Sequence, residues 1–159
     1  AGPHYTPTGT AGAIGPPDVP AGMVSTPEQG HTQPILQAFR LGKPVLVEKP
    51  IGFSLSDADK ILTTLYETKG DLRVGYSRRY KECFLRAKEQ MLHGRLGKVT
   101  GGTARVYNSR AQAFAILKRD PHATPVLDVL TYYVDLMCWF LERQRPVQGW
   151  ARCPHGLFK

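Results

Sequence analysis

The chain has 159 residues, 42% of them hydrophobic and 21% charged, the composition of a globular protein of one-domain size rather than of a disordered segment. Its 21 Lys and Arg outnumber 13 Asp and Glu, for a formal charge of +8, but the bases are scattered. Without a basic stripe and interleaved aromatics, that charge points to a solvated surface and an anionic ligand, not to nucleic acid.

Residues 1–22 contain five Gly and five Pro with a single acidic residue. They follow neither helical nor strand periodicity and are expected to form an irregular arm. Met23-Val24-Ser25 reads as a short strand stopped by Thr26-Pro27. A helix is expected from Gln29 to Leu41, with Ile35, Leu36 and Phe39 on its inner face and Gly42 ending it. Pro44-Val45-Leu46-Val47 is wholly apolar, which suits a strand buried on both faces. Ser56 is the expected N-cap of the next helix, with Asp57 and Asp59 in its first turn, Ile61, Leu62 and Leu65 inward and Gly70 as terminator. Leu72 to Tyr76 is a third strand. Met23 to Tyr76 is therefore strand–helix–strand–helix–strand, the order of an α/β unit with a parallel sheet.

The second half differs in pattern, and a domain boundary is placed near residue 77. Tyr80 to Leu92 is an amphipathic helix closed by His93-Gly94. Lys98 to Tyr107 reads as a strand, with Val99, Thr103 and Val106 as β-formers. Pro125 to Leu141 is apolar on nearly every face and is expected to be a buried helix, with Cys138 a small buried hydrophobe within it. Val147 is placed at the start of a further strand. The three cysteines, Cys83, Cys138 and Cys153, form no Cys-x-x-Cys, so no zinc site or disulfide framework is implied. Free thiols fit a reducing cytoplasm. The first residues lack the pattern of a secretion signal. The apolar run Val126 to Leu141, interrupted by Asp128 and Asp135, is too short and polar for a membrane span.

Three places could carry chemistry. Lys49 follows a buried strand at its carboxyl end, where open α/β sheets bind ligands. Pro50 biases it toward an extended backbone, and its ammonium could hydrogen-bond a substrate hydroxyl and steady an alkoxide. The plainer alternative is a charged loop pair, Glu48-Lys49. Asp128, Tyr132 and Asp135 recur at i, i+4 and i+7, on one helix face. In an apolar helix these carboxylates need partners, supplied either by structural Arg or backbone groups or by a cleft they face. Ser25-Thr26-Pro27-Glu28-x-x-His31 places hydroxyls and a helix start after a strand, where ribose or a cofactor amide can be met. The commoner role of a lone His there is structural.

Thr26-Pro27-x-x-x-His31 followed by Leu41-Gly42-Lys43-Pro44-Val45-Leu46-Val47-Glu48-Lys49-Pro50 strongly resembles the glucose-fructose oxidoreductase / inositol dehydrogenase (Gfo/Idh/MocA) family. So do Gly75-Tyr76-x-x-Arg79-Tyr80, Gly94-Arg95-Leu96-Gly97-Lys98 and Asp128-x-x-x-Tyr132-x-x-Asp135, and the match runs from about residue 23 to 147. The resemblance implies the later part of a Rossmann domain in residues 23–76, then part of an α+β domain in residues 77–159. That second domain would carry an open, mostly antiparallel sheet, commonly used for homo-oligomerisation. It also implies NAD- or NADP-linked hydride transfer to or from a sugar, polyol or related hydroxy compound. By this similarity Lys49 is the active-site lysine, Thr26, Pro27, His31, Glu48 and Lys49 lie along the cofactor, and Asp128 contacts substrate.

Two departures accompany the resemblance. The family's Gly-x-Gly-x-x-Gly turn is not in this sequence, since Gly9, Gly12 and Gly15 have the wrong spacing. The chain is thus expected to be truncated at its N-terminus, and a non-catalytic fragment that serves at most as an oligomerisation or ligand-binding module is the alternative reading. The family's catalytic His also stands as Tyr132 here. A phenol is a weak base near neutrality unless a neighbouring cation such as Lys49 stabilises its phenolate, so Tyr132 is either the acid/base group or a sterically similar remnant.

Overall fold

The computed structural model describes residues 10–119, 126–141, 144–150 and 152. Three short strands form its sheet: β1 (Gly22–Val24), β2 (Val45–Val47) and β3 (Leu72–Val74). They pair in parallel in the order β1-β2-β3, with Met23 opposite Leu46 and Leu46 opposite Arg73. Parallel neighbours require crossover connections, and helices α2 (Thr32–Arg40) and α3 (Leu55–Thr68) supply them. A 3-10 turn, Glu28–Gly30, leads into α2. The α/β reading of residues 23–76 thus describes the observed order, a Rossmann-type arrangement.

The core lies where α2, α3 and one sheet face meet. Ile35, Ala38 and Phe39 from α2, Ile61 from α3, and Val24, Val45 and Val47 from the sheet are all buried there. Leu46, expected to be covered, is 43% exposed, and its β1 neighbour Met23 is 68% exposed. Side chains alternate along a strand, so Val45 and Val47 point into the helices and Leu46 points away. An apolar run does not tell one packed face from two. Leu62, expected to face inward, is likewise exposed while Ile61 is not. Within the stretch expected to be irregular, residues 10–14 are helical. A one-turn helix, α1 (Thr10–Ile14), sets Ile14 into this core.

The helix ends follow local chemistry. Ser54, not Ser56, caps α3: it is extended, and its Oγ accepts from Asp57 N at 3.1 Å. Both serines precede an Asp by three residues, so spacing alone did not separate them. At the other end Lys69 takes the left-handed conformation (φ 52°), while Gly70 is needed for a different reason. A Cβ on Gly70 would stand 2.9 Å from the Phe39 ring. Gly42 stops α2 as expected, with φ 66° and Lys43 N donating to Ala38 O at 3.0 Å.

Beyond the sheet a 3-10 turn, Ser77–Tyr80, leads to α4 (Glu82–Leu92). Helix α5 (Arg110–Arg119) follows; no helix was expected there. Residues 126–130 form a π-type turn that runs into α6 (Thr131–Phe140). Pro125 and Cys153 lie outside the described residues. Lys88 of α4 donates its ammonium to Trp139 O of α6 at 2.6 Å. Phe84 and Phe140 pack at 6.3 Å between centroids.

The strand expected from Lys98 to Tyr107 does not form, nor does one begin at Val147, and no second sheet occurs among the described residues. β-formers such as Val99, Thr103 and Val106 prefer a pleated surface, but a strand needs a partner edge to satisfy its backbone, and none of the described strands pairs with this segment. Helix α6 is also less buried than its composition suggests. Asp135 and Leu136 are buried, but Val134 and Cys138 are exposed. No helix among the described residues is long and apolar enough to cross a membrane.

Candidate functional site

Lys49 leaves β2 at its carboxyl end. Glu48 N still donates to Val24 O of β1 at 2.9 Å, so the sheet ends just as Lys49 begins. The Lys49–Pro50 peptide bond is cis. Lys49 Nζ donates to Asp128 Oδ1 at 2.7 Å and to Asp128 O at 2.9 Å. The two side chains are 13% and 15% exposed. Asp128 is brought there by the π-type turn before α6, a feature frequent at functional sites, and Lys49 engages both its carboxylate and its carbonyl.

The i, i+4, i+7 stripe faces the sheet end, and its two acids divide the alternatives. Asp135 has the structural arginine: Arg79 donates from Nε at 2.8 Å and from Nη2 at 2.5 Å. This fork-to-carboxylate contact holds the Arg79 guanidinium above its ordinary range, against the opposing effect of burial. Asp128 instead lines a cleft. Between them, Lys49 Nζ lies 5.1 Å from the centre of the Tyr132 ring, and the Arg78 guanidinium carbon lies 5.0 Å from it. Lys49 therefore meets Tyr132 at its aromatic ring. Tyr76 meets the same ring edge-on at 6.3 Å.

Lys49 borders two clefts. One, of about 380 Å³, is lined by Asp128, Tyr132, Tyr133, Arg78, Asn108 and Gln112, with Arg105 at its margin. The other, of about 360 Å³, runs over the carboxyl ends of β1 and β2 and is lined by Ser25, Thr26, Pro27, Glu28, His31 and Glu48. The residues singled out in the sequence thus fall into two groups joined by Lys49. His31 is buried in the wall of the second cleft, with ring nitrogens 2.9 Å from Pro50 O and 2.9 Å from Thr26 O. It ties the Thr26-Pro27 corner to the turn after Lys49. Sequence reasoning did not single out Arg78, Tyr133, Asn108 or Gln112 as site residues. Arg79 belongs to the Gly75-Tyr76-x-x-Arg79-Tyr80 motif, but nothing local signals that its neighbour Arg78 meets different partners.

Residues 13–76 match the family described as "Oxidoreductase family, NAD-binding Rossmann fold". An inositol 2-dehydrogenase of Rhizobium meliloti is 30% identical over 109 residues, covering 69% of this chain and 29% of that protein.

The chain belongs to the Gfo/Idh/MocA oxidoreductase family.

This Gfo/Idh/MocA chain is also 27% identical over 134 residues to a 1,5-anhydro-D-fructose reductase of Ensifer adhaerens, covering 81% of the chain and 40% of that enzyme. Its fold matches the crystal structure of scyllo-inositol dehydrogenase from Lactobacillus casei with bound NAD(H) and scyllo-inositol. The TM-score is 0.71 at 23% identity, over 83% of this chain and 40% of that one. At that identity the likeness concerns the fold. The chain spans 29% and 40% of the two curated relatives.

Proposed function

We propose that this chain carries the catalytic edge of an NAD(P)-dependent oxidoreductase that moves hydride between nicotinamide and a polyhydroxylated compound. The observation that carries the reading is the position of Lys49, between a cleft at the carboxyl ends of parallel strands and a polar cleft on the other side. Ligands of open α/β sheets lie at the first of these positions. Its hydroxyls on Ser25 and Thr26, the Glu48 carboxylate and the Lys49 ammonium fit the ribose and amide of a nicotinamide nucleoside. When bound, that cofactor supplies the hydride donor or acceptor.

The chain's own groups would do the rest. In carbonyl reduction, the Lys49 ammonium hydrogen-bonds the substrate oxygen, stabilises the developing alkoxide and passes its proton to it. In alcohol oxidation the neutral amine takes that proton back as hydride leaves the carbon. Asp128 would hold Lys49 in line and accept a hydrogen bond from a neighbouring hydroxyl. Tyr132 is proposed as a further acid/base group, with its ring as the surface on which Lys49 rests. His31 would act on the cofactor side through the corner it fixes, and Thr26, Pro27 and Glu48 by contact. A homo-oligomer is part of the same proposal and rests on the family resemblance.

The test is a titration of the purified chain with NADH and with NADPH, followed by nicotinamide fluorescence, and then turnover with neutral polyols. Saturable binding that Lys49→Ala weakens, with polyol-dependent turnover, is the expected outcome. A folded chain that binds neither cofactor would overturn the reading and leave the non-catalytic alternative.

A further inference from the structure

The polar cleft is unbalanced in charge. Among the described residues that line it, Lys49, Arg78 and Arg105 are cationic and Asp128 is the one acid. Asp128 is already engaged by Lys49 at 2.7 Å. Arg78 and Arg105 make no ion pair among the described residues, whereas the neighbouring Arg79 is matched to Asp135. Arg78 is moreover held in place. Its guanidinium carbon lies 5.0 Å from the Tyr132 ring centre and 4.7 Å from that of Tyr133, so two aromatic rings fix its position. Its Nε is buried with no hydrogen-bond partner. Buried donors without acceptors are rare because desolvating them is costly. Arg78 thus lines the cleft as a guanidinium held by two rings and with no carboxylate partner among the described residues, and a guanidinium is the side chain best matched to a carboxylate.

We propose that the substrate of this site carries a carboxylate as well as hydroxyl groups, and that Arg78, assisted by Arg105 at the cleft margin, selects it. The inference rests on the oxidoreductase reading above and narrows it to polyhydroxy acids. A neutral polyol would leave both guanidinium groups without counter-charge. A polyhydroxy acid would place its carboxylate at Arg78 and a hydroxyl at Lys49 and Asp128.

The experiment compares binding of D-gluconate with that of neutral D-glucitol, by calorimetry or saturation-transfer NMR, on the purified chain with NADH present. The expected result is tighter binding of gluconate. Arg78→Gln should remove the preference, a loss of about tenfold to a hundredfold for a charge-assisted hydrogen bond. Arg105→Gln, at an exposed position that does not threaten folding, should reduce the preference partially, and rising salt should erode it. Equal or tighter binding of glucitol, insensitive to both substitutions, would overturn the carboxylate proposal and leave the polyol reading intact. Binding of neither compound would overturn both.

Discussion

Lys49 Nζ and Asp128 Oδ1 stand 2.7 Å apart although 79 positions separate them in the chain. The contact joins the end of the parallel sheet to the turn that starts α6, so one ion pair links the two halves of the described fold.

Removing one partner of that pair should therefore cost stability as well as function. Asp128→Asn is expected to lower unfolding free energy by about 1.5–3 kcal/mol, the range for a hydrogen bond to a charged group. Lys49→Met in the same background should cost less than it does alone, because the uncompensated charge is gone. Urea denaturation of the two single variants and the double variant measures this, and strictly additive losses would show that the pair is not coupled.

Tyr132 offers a way to separate two roles. If its hydroxyl moves a proton, Tyr132→Phe should lower kcat by about a hundredfold or more and alter the pH profile. If only the ring matters, as the 5.1 Å contact to Lys49 permits, Tyr132→Phe should retain turnover and Tyr132→Ala should lose it. Steady-state rates for the two variants decide between them.

Arg79 and Asp135 should behave as a structural unit. Asp135 is buried and Arg79 is partly exposed, so solvent screening limits the loss on Arg79→Met to about 1–2 kcal/mol. The Asp135 carboxylate raises the guanidinium's titration above its ordinary range in the folded state. A raised value means stability that is fully present below the unfolded value and lost only as pH climbs through the folded one. The difference in urea midpoint between wild type and Arg79→Met should accordingly stay flat from about pH 7 to about pH 10. A steady decline across that window would count against this account.

Two glycines should respond differently to the same change. A Cβ at Gly70 meets the Phe39 ring at 2.9 Å, and Phe39 is locked in the core. Gly70→Ala is expected to cost about 1–3 kcal/mol. At Gly102 the nearest atom is Met137 Cε at 2.7 Å, the far end of a flexible side chain. Gly102→Ala should cost well under 1 kcal/mol, about the scale of a tolerated swap. Thermal melts of both variants check the contrast.

His31 should matter through the corner it holds. With both ring nitrogens on main-chain carbonyls, His31→Ala leaves Pro50 O and Thr26 O without that partner. A loss of about 1–3 kcal/mol is expected, together with weaker NADH binding in a fluorescence titration. A destabilised variant with unchanged affinity would confine His31 to folding.

The sequence by itself determined the α/β order of residues 23–76, because helical spacing, short apolar runs and stop residues such as Gly42 are local signals. It also singled out Lys49 and the Asp128–Tyr132–Asp135 stripe, since a cation beyond a strand end and acids in an apolar helix are unusual wherever they occur. Only the tertiary structure decided what those groups meet. Asp128 and Asp135 look alike in sequence, yet one faces Lys49 in a cleft and the other is engaged by Arg79. Arg78 and Arg79 are adjacent, yet one is matched and the other is held between tyrosines without an acceptor. The expected strand at Lys98–Tyr107 failed for the same reason. Burial, pairing and charge balance belong to contacts between distant segments, and local pattern does not encode which distant segment arrives.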